Sequence, residues 1–138
     1  MGTRADFYVG RGEKAEWIGS IAWDGYPDGM PDSLLAATST EGYLQEVTDF
    51  FKERDDVTLP EDGWPWPWDD SGTTDYSYTL DEGKVWASCF GSSWFDPATA
   101  SEEDRERAYE EKGAVHPDMS NRKNVAFGKK SGLIILTS

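Results

Sequence analysis

Near the N-terminus, apolar and polar side chains alternate with the period of two that is typical of a β-strand. In the stretch ADFYVG, Phe7 and Tyr8 point to opposite faces, and the residues that follow, RGEK, form a polar turn around Gly12. The next stretch, EWIGSIAW, is rich in residues that favour strands. These stretches predict a β-hairpin with strands near residues 5–10 and 15–23.

Similar alternation predicts two further hairpins. In residues 76–80 and 85–89, apolar side chains occupy every second position on both sides of the sequence DEGK, so a turn is expected near Glu82–Gly83. At the end of the chain, NVAFG and LIILTS flank the polar sequence KKSG and predict a third hairpin in residues 124–138.

Between the first two hairpins, the apolar period changes to that of a helix. The sequence TSTE at residues 38–41 is typical of a capping box, with Thr38 as the N-cap. Apolar residues then recur at helical spacing, at Leu44, Val47, Phe50 and Phe51. The pattern predicts an amphipathic helix over about 40–54, and a shorter helical turn is expected at 33–37, capped by Asp32.

A second helix is predicted near residues 102–112, where Ser101 is a suitable N-cap. Ala108 and Tyr109 are the only uncharged residues within it, so this polar helix should be largely solvated. Strands and helices that do not alternate one for one predict an α+β fold. We therefore expect a single domain, residues 1–138, in which an antiparallel sheet of hairpins packs on the amphipathic helix.

The composition indicates a core built from rings rather than from aliphatic side chains. Hydrophobic residues make up 37% of the chain and aromatic residues 14%, including seven tryptophans. Each buried aromatic side chain removes about 150–250 Å² from water, which offsets the small number of aliphatic residues. With Cys89 as the single cysteine, an intrachain disulfide is excluded, and a reducing cytoplasm is expected. No apolar run is typical of a signal peptide or of a membrane span.

The charge is strongly negative and unevenly distributed. The chain carries 13 basic and 27 acidic side chains, for a net charge of −14. All the acidic side chains lie in residues 1–118, whereas residues 119–138 contain four basic residues and no acidic one. Such a field opposes direct binding to nucleic acid or to an anionic membrane, and it favours a basic protein surface as the partner.

Residues of the kinds that carry catalysis or bind metals are few. Asp24, Asp28 and Asp32 are spaced four apart, which does not match the carboxylate spacing of calcium loops. Cys89 and His116 are the only thiol and imidazole, too few for a structural zinc site. A Cys–His nucleophilic pair is formally possible, but Cys89 alternates inward with its apolar neighbours. We expect no metal, no cofactor and no catalytic residue, and a small hydrolase or metal-dependent enzyme is the alternative.

The sequence EDGWPWPWDD, residues 61–70, is called the strap below, and it alternates tryptophan with proline. Pro65 and Pro67 remove backbone donors and favour an extended chain, in which alternate side chains share a face. The strap either lies against the sheet and completes its hydrophobic layer, or exposes an indole ridge with an acidic rim. Between its prolines, Trp66 is suited to a fixed pocket, whereas Trp68, next to two aspartates, is expected to be the most exposed indole.

An exposed strap would bind a partner together with the polar helix, because aromatic side chains anchor partners and carboxylates steer them. The partner expected for such a surface is a basic protein. The residues predicted to bind it are Trp64, Trp68, Glu61, Asp62, Asp69, Asp70, Glu102, Glu103, Asp104 and Glu106.

Residues 3–27, TRADFYVGRGEKAEWIGSIAWDGYP, resemble the N-terminus of small uncharacterised proteins encoded by phages and prophages. Proteins of this kind are similar in size and charge to anti-CRISPR and other anti-defence proteins. The resemblance implies a non-enzymatic inhibitor in the host-cell cytoplasm that occludes a basic nucleic-acid-binding surface, such as that of a CRISPR effector complex. A structural or accessory phage protein is a further alternative.

Overall fold

A computed structural model describes residues 2–111 and 113–119. Its centre is a five-stranded sheet with the strand order β3-β2-β1-β4-β5. The strands are β1 (Ala5–Val9), β2 (Glu16–Ile21), β3 (Val57–Thr58), β4 (Tyr76–Asp81) and β5 (Lys84–Cys89). The helices are α1 (Asp32–Leu35), α2 (Thr40–Lys52) and α3 (Glu102–Glu110). The α+β class predicted from the sequence is therefore confirmed.

The first two hairpins are confirmed, but the prediction of a purely antiparallel sheet is wrong. Strands β1 and β2 pair antiparallel, as do β4 and β5, with the second turn at Glu82–Gly83. The two hairpins join through β1 and β4, which run parallel, from the pair Ala5 and Tyr76 to the pair Val9 and Leu80. Local alternation identifies strands but not their distant neighbours, so the sequence did not reveal this junction.

A β-bulge in β2 sorts the side chains of this strand between the two faces of the sheet. The register shifts by one residue, so that Phe7 pairs with Gly19 while Tyr8 pairs with Trp17. The extra residue, Ile18, brings Trp17 and Ser20 to one face, where the indole N–H donates to the Ser20 hydroxyl at 2.9 Å. Gly19 is required here, because a Cβ at this position would lie 2.5 Å from the Phe51 ring.

Helix α2 covers one face of the sheet. Its N-cap is Ser39, whose hydroxyl accepts from the Gly42 N–H at 3.0 Å, so the prediction of Thr38 as the cap is wrong by one residue. The Phe51 ring meets the Phe7 ring of β1 edge to face at 5.4 Å. The residues of α2 that are buried are Tyr43, Val47, Thr48 and Phe51, whereas Leu44 and Phe50 are only half-buried.

The opposite face of the sheet is polar, although it is also buried. Seven of its strand residues are 1% exposed or less, namely Asp6, Tyr8, Trp17, Ser20, Ser77, Thr79 and Ser88, whereas Asp81, Lys84 and Trp86 at its far end are half-buried. The strap crosses this face, and the segment 113–119 lies beside it, with the Met119 N–H donating to the Asp69 carbonyl at 2.6 Å. The sheet is thus covered on both faces, by apolar contacts on the α2 face and by hydrogen-bonded and apolar contacts on the strap face, where Tyr8, Trp17 and Met119 belong to a second buried cluster.

The polar helix is present as α3. Ser101 caps it as predicted: its hydroxyl accepts from the Asp104 N–H, and the Asp104 carboxylate accepts from the Ser101 N–H, both at 3.1 Å. Ala108 is the residue of α3 that is buried in the main core, on the α2 face. The early helical turn is α1, with Pro31 rather than Asp32 as its N-cap. The predicted third hairpin, in 124–138, lies outside the described residues.

Of the helices that the structure describes, none is both long enough and apolar enough to cross a membrane.

The bulge generates a stability prediction. Gly19→Ala should lower the free energy of unfolding by about 1–3 kcal/mol more than Gly12→Ala, because only the former overpacks the core. Gly12 is a matched control, since it also has a positive φ, +81°, but apart from its chain neighbours no atom lies within 4 Å of the position that a methyl group would occupy. Urea unfolding of the two variants measures the difference. Equal destabilisation would show that the Phe51 ring moves aside freely.

Candidate functional site

The strap is fixed to the sheet through a buried carboxylate. Asp6 of β1 is 0% exposed. Its carboxylate accepts hydrogen bonds from the Ser20 hydroxyl at 2.5 Å, from the Ser71 hydroxyl at 2.6 Å and from the Trp66 indole at 2.7 Å. Burial raises the pKa of Asp6 above its usual range, although these hydrogen bonds act in the opposite direction. Of the two alternatives for the strap, the network favours the one in which it lies against the sheet, because Trp66 occupies a fixed site there.

The other two indoles of the strap are held in the same way. The Trp64 indole N–H donates to the Trp68 carbonyl at 2.6 Å, and that of Trp68 donates to the Thr74 hydroxyl at 2.9 Å. The Trp66 and Trp68 rings stack at 5.6 Å, with the Arg4 guanidinium 5.7 and 5.2 Å from their centroids. All three indoles are half-buried, including Trp68, which was expected to be the most exposed. The strap is therefore a structural layer of the protein.

The carboxylates predicted to bind a partner are divided between two sides of the sheet. On the strap, Asp69 is exposed, Asp62 accepts from the Leu59 N–H, and the half-buried Asp70 accepts from the Gly72 N–H. Glu61 is exposed as well. Those on α3 are all exposed: Glu102, Glu103, Asp104 and Glu106. Because α3 packs on the α2 face and the strap on the other, the structure does not join the two groups into one patch.

Cys89 and His116, the pair considered for nucleophilic catalysis, lie on opposite faces of the sheet. Cys89 is half-buried and packs against the main core on the α2 face. His116 lies beside Tyr8 on the strap face, with ring centroids 6.3 Å apart, and 5.4 Å from the Trp94 ring. Burial lowers the pKa of His116 to about 4. The two side chains are not arranged as a thiol–imidazole pair.

The carboxylates of the loop at residues 22–31 are arranged around its turn. The Tyr26 hydroxyl donates to Asp24 at 3.4 Å, and Asp24 itself has a positive φ of +61°. Over residues 2–111 and 113–119, no group of three His, Cys, Asp or Glu side chains is placed to hold a metal ion.

The exposed indole of this protein is Trp23, which the sequence did not single out. All seven tryptophans lie in the described part of the chain, and of these only Trp23 is exposed, at 48%. Tyr26, three residues further along the same loop, is 41% exposed. The name Trp23 patch is used below for Trp23 and Tyr26 with the exposed carboxylates Asp24 and Asp28.

A buried ion pair holds the backbone of Trp23 in place. The Arg54 guanidinium binds the Asp56 carboxylate through two hydrogen bonds, at 2.7 and 2.8 Å. Asp56 also accepts from the N–H groups of Ala22 and Trp23, both at 3.0 Å, and Arg54 donates to the Trp23 carbonyl at 2.7 Å. Burial alone would raise the pKa of Asp56, but the hydrogen bonds from Arg54 and the backbone outweigh it and hold the pKa below its usual range.

The middle of the loop is fixed by Gly25. Its N–H donates to the Thr3 carbonyl at 2.8 Å, and its carbonyl accepts from the buried Tyr78 hydroxyl at 2.7 Å. A Cβ on Gly25 would lie 2.7 Å from the Ala5 side chain, so only glycine allows this close approach. The loop that carries the Trp23 patch is therefore ordered before any partner binds.

The stretch of the chain that carries the Trp23 patch contains no positive charge. No Lys or Arg occurs between Lys14 and Lys52, a stretch that contains the loop, α1 and most of α2. Arg54, whose guanidinium reaches the Trp23 carbonyl, is bound to Asp56. The absence of cations can be read directly from the sequence, whereas the exposure of Trp23 cannot, because a tryptophan in a Gly- and Pro-rich loop is equally compatible with burial.

Comparison with models of protein families, with curated proteins and with solved structures found no match for this chain. No residue role carries over from a relative, so the function proposed below depends on the chemistry of these surfaces.

The Asp6 network predicts that Trp66 and the exposed Trp23 differ in their contribution to stability. Trp66→Phe removes a hydrogen bond to a buried carboxylate and should lower the free energy of unfolding by about 1.5–3 kcal/mol. The matched change Trp23→Phe, at an exposed indole, should stay within about 0.5 kcal/mol. Chemical denaturation measures both. Equal effects would contradict the role of Trp66 as the donor that attaches the strap.

The buried imidazole predicts a pH dependence. The pKa of His116 is about 4 in the folded protein and about 6.5 in an unfolded chain, so between these values only the unfolded chain binds the proton. Stability should fall as the pH drops from about 6.5 toward 4, by up to about 3 kcal/mol from this residue. In His116→Gln this part of the slope should be absent. An NMR titration of the single histidine that gives a pKa near 6.5 would contradict it.

Proposed function

We propose that this protein is a non-enzymatic acidic binding protein that docks on a basic surface of a partner protein. The observation that carries the proposal is the Trp23 patch, two exposed aromatic side chains on an ordered loop flanked by carboxylates. Trp and Tyr are enriched among the side chains that dominate interface energies. The ordered loop lowers the entropy cost of binding, and the carboxylates favour a partner of opposite charge.

The more specific form of the proposal is an anti-defence inhibitor, similar to anti-CRISPR proteins, that acts in the host-cell cytoplasm. It would cover a basic surface that otherwise binds nucleic acid, such as that of a CRISPR effector complex. Supporting this, residues 1–118 carry 27 acidic against nine basic side chains, so they can compete for the cations that bind phosphates.

Affinity capture from the host, followed by binding measurements with the purified partner, tests the proposal. Trp23→Ala should weaken binding by at least about 2 kcal/mol, or about thirtyfold in Kd, because an anchor loses its contact area. The affinity of the unchanged protein should also fall steadily as salt increases, since exposed opposite charges are screened. Phe90→Ala is the control, because Phe90 is a 41% exposed aromatic residue outside the patch.

Two outcomes would contradict the proposal. A Trp23→Ala variant that binds as tightly as the Phe90→Ala control would remove the patch from the interface. An affinity that does not change between low and high salt would exclude a basic surface as the target. If the partner binds nucleic acid, that nucleic acid should compete with this protein for the partner. Simultaneous binding of the nucleic acid and this protein would contradict the proposal that the protein is an inhibitor.

A further inference from the structure

A cavity of about 480 Å³ lies between α3 and the edge of the sheet at β4–β5. It is distinct from the Trp23 patch, and nothing in the proposed function uses it. Its aromatic walls are formed by Tyr76, Phe95 and Tyr109, and Cys89 also lines it. This volume is within the range of pockets that hold small molecules.

Arg105, the positively charged residue of this cavity, lacks the carboxylate partner that would be expected in so acidic a protein. Within the described residues, Arg105 makes no ion pair, and its Nε is buried without a hydrogen-bond partner. The guanidinium carbon lies 6.0 Å from the centre of the Phe95 ring. A buried donor without an acceptor is energetically unfavourable, so this N–H is suited to an acceptor supplied by a ligand.

The other charges of the cavity restrict what that ligand can be. Arg105 and Tyr109 are one turn apart on α3, and beside them Glu106 and Glu110 are also one turn apart, so four side chains form two parallel rows that line the cavity. A simple anion would meet the guanidinium but also two carboxylates, which would repel it. A simple cation would leave the guanidinium unpaired. A molecule that carries both charges can satisfy both rows.

Arg105 also borders a second cavity of about 500 Å³, which has two carboxylates, Asp28 and Asp32, but no aromatic wall. Of these two cavities, the one beside Phe95 therefore combines aromatic walls with both signs of charge.

We propose that this cavity binds a small zwitterion with an apolar body, of the class of the aromatic α-amino acids. The carboxylate accepts hydrogen bonds from the Arg105 guanidinium, and the ammonium group faces Glu106 and Glu110. The apolar body packs against the rings of Tyr76 and Phe95. This proposal does not depend on the function proposed above.

Binding can be tested with L-phenylalanine as the probe. Cys89 is the only cysteine and lines the cavity, so a bound molecule should slow its alkylation by iodoacetamide, measured by mass spectrometry. Backbone amide shifts in ¹⁵N NMR spectra give an independent titration, which should saturate at the same concentration. The probes 3-phenylpropanoate, which lacks the ammonium group, and phenethylamine, which lacks the carboxylate, should each bind at least about tenfold more weakly.

Variants on α3 separate the cavity from non-specific effects. Arg105→Gln should weaken the binding of L-phenylalanine by at least about tenfold, because the carboxylate loses its partner. Arg107→Gln is the matched control, since Arg107 is an exposed cation of the same helix that pairs with Asp104. If Arg105→Gln disturbs α3, as circular dichroism would show, Arg105→Lys keeps the charge but loses the planar fork, and it should bind with intermediate affinity.

Three results would overturn the proposal. The first is the absence of saturable shifts and of protection of Cys89 by L-phenylalanine in the unchanged protein. The second is equal affinity for L-phenylalanine and 3-phenylpropanoate, because the cavity would then recognise only an anion. The third is an equal effect of the Arg105 and Arg107 variants, which would show that only the overall charge matters.

Discussion

A carboxylate without access to water must find hydrogen-bond donors inside the protein, because its desolvation costs several kcal/mol. For Asp6 one donor comes from β2, the other strand of its own hairpin, and two come from the strap and from Ser71 beyond it, 60 and 65 residues along the chain. Ser71 also bonds the Tyr8 hydroxyl at 2.7 Å, and Trp17 bonds Ser20, which extends the network across the face. The strap face of the sheet is organised around this one buried carboxyl group.

The bulge in β2 makes this arrangement compatible with an apolar core on the other face. Without the extra residue, Trp17 and Ser20 would point to opposite sides of the strand. With it, Trp17 and Ser20 face the strap, while Ile18 and Ile21 face α2. One irregularity in the backbone thus places the hydrogen-bonded pair Trp17 and Ser20 on one face of the sheet and Ile18 and Ile21 in the main core on the other.

The same physical reasoning explains which aromatic residues are available for binding. The three indoles of the strap use their N–H groups inside the protein, whereas Trp23 is held by its backbone and leaves its ring in solvent. The ion pair of Arg54 and Asp56 has no free charge to attract a partner, but it fixes the loop. The residues that hold a binding surface in place and those that contact a partner are therefore different sets.

The sequence by itself determined the local elements: two hairpins, the helix α2, the cap of α3 at Ser101, and the overall charge. These elements depend on residues that are close together in the sequence, so the spacing of apolar residues and the capping residues predict them. Only the tertiary structure decided that β1 and β4 run parallel, that Asp6 is the acceptor for the strap, and that Trp23 rather than Trp64 or Trp68 is exposed. The reason is that burial and hydrogen-bond partners depend on segments that lie far apart along the chain. A local pattern does not predict which distant segment supplies a hydrogen-bond donor or packs over a given side chain.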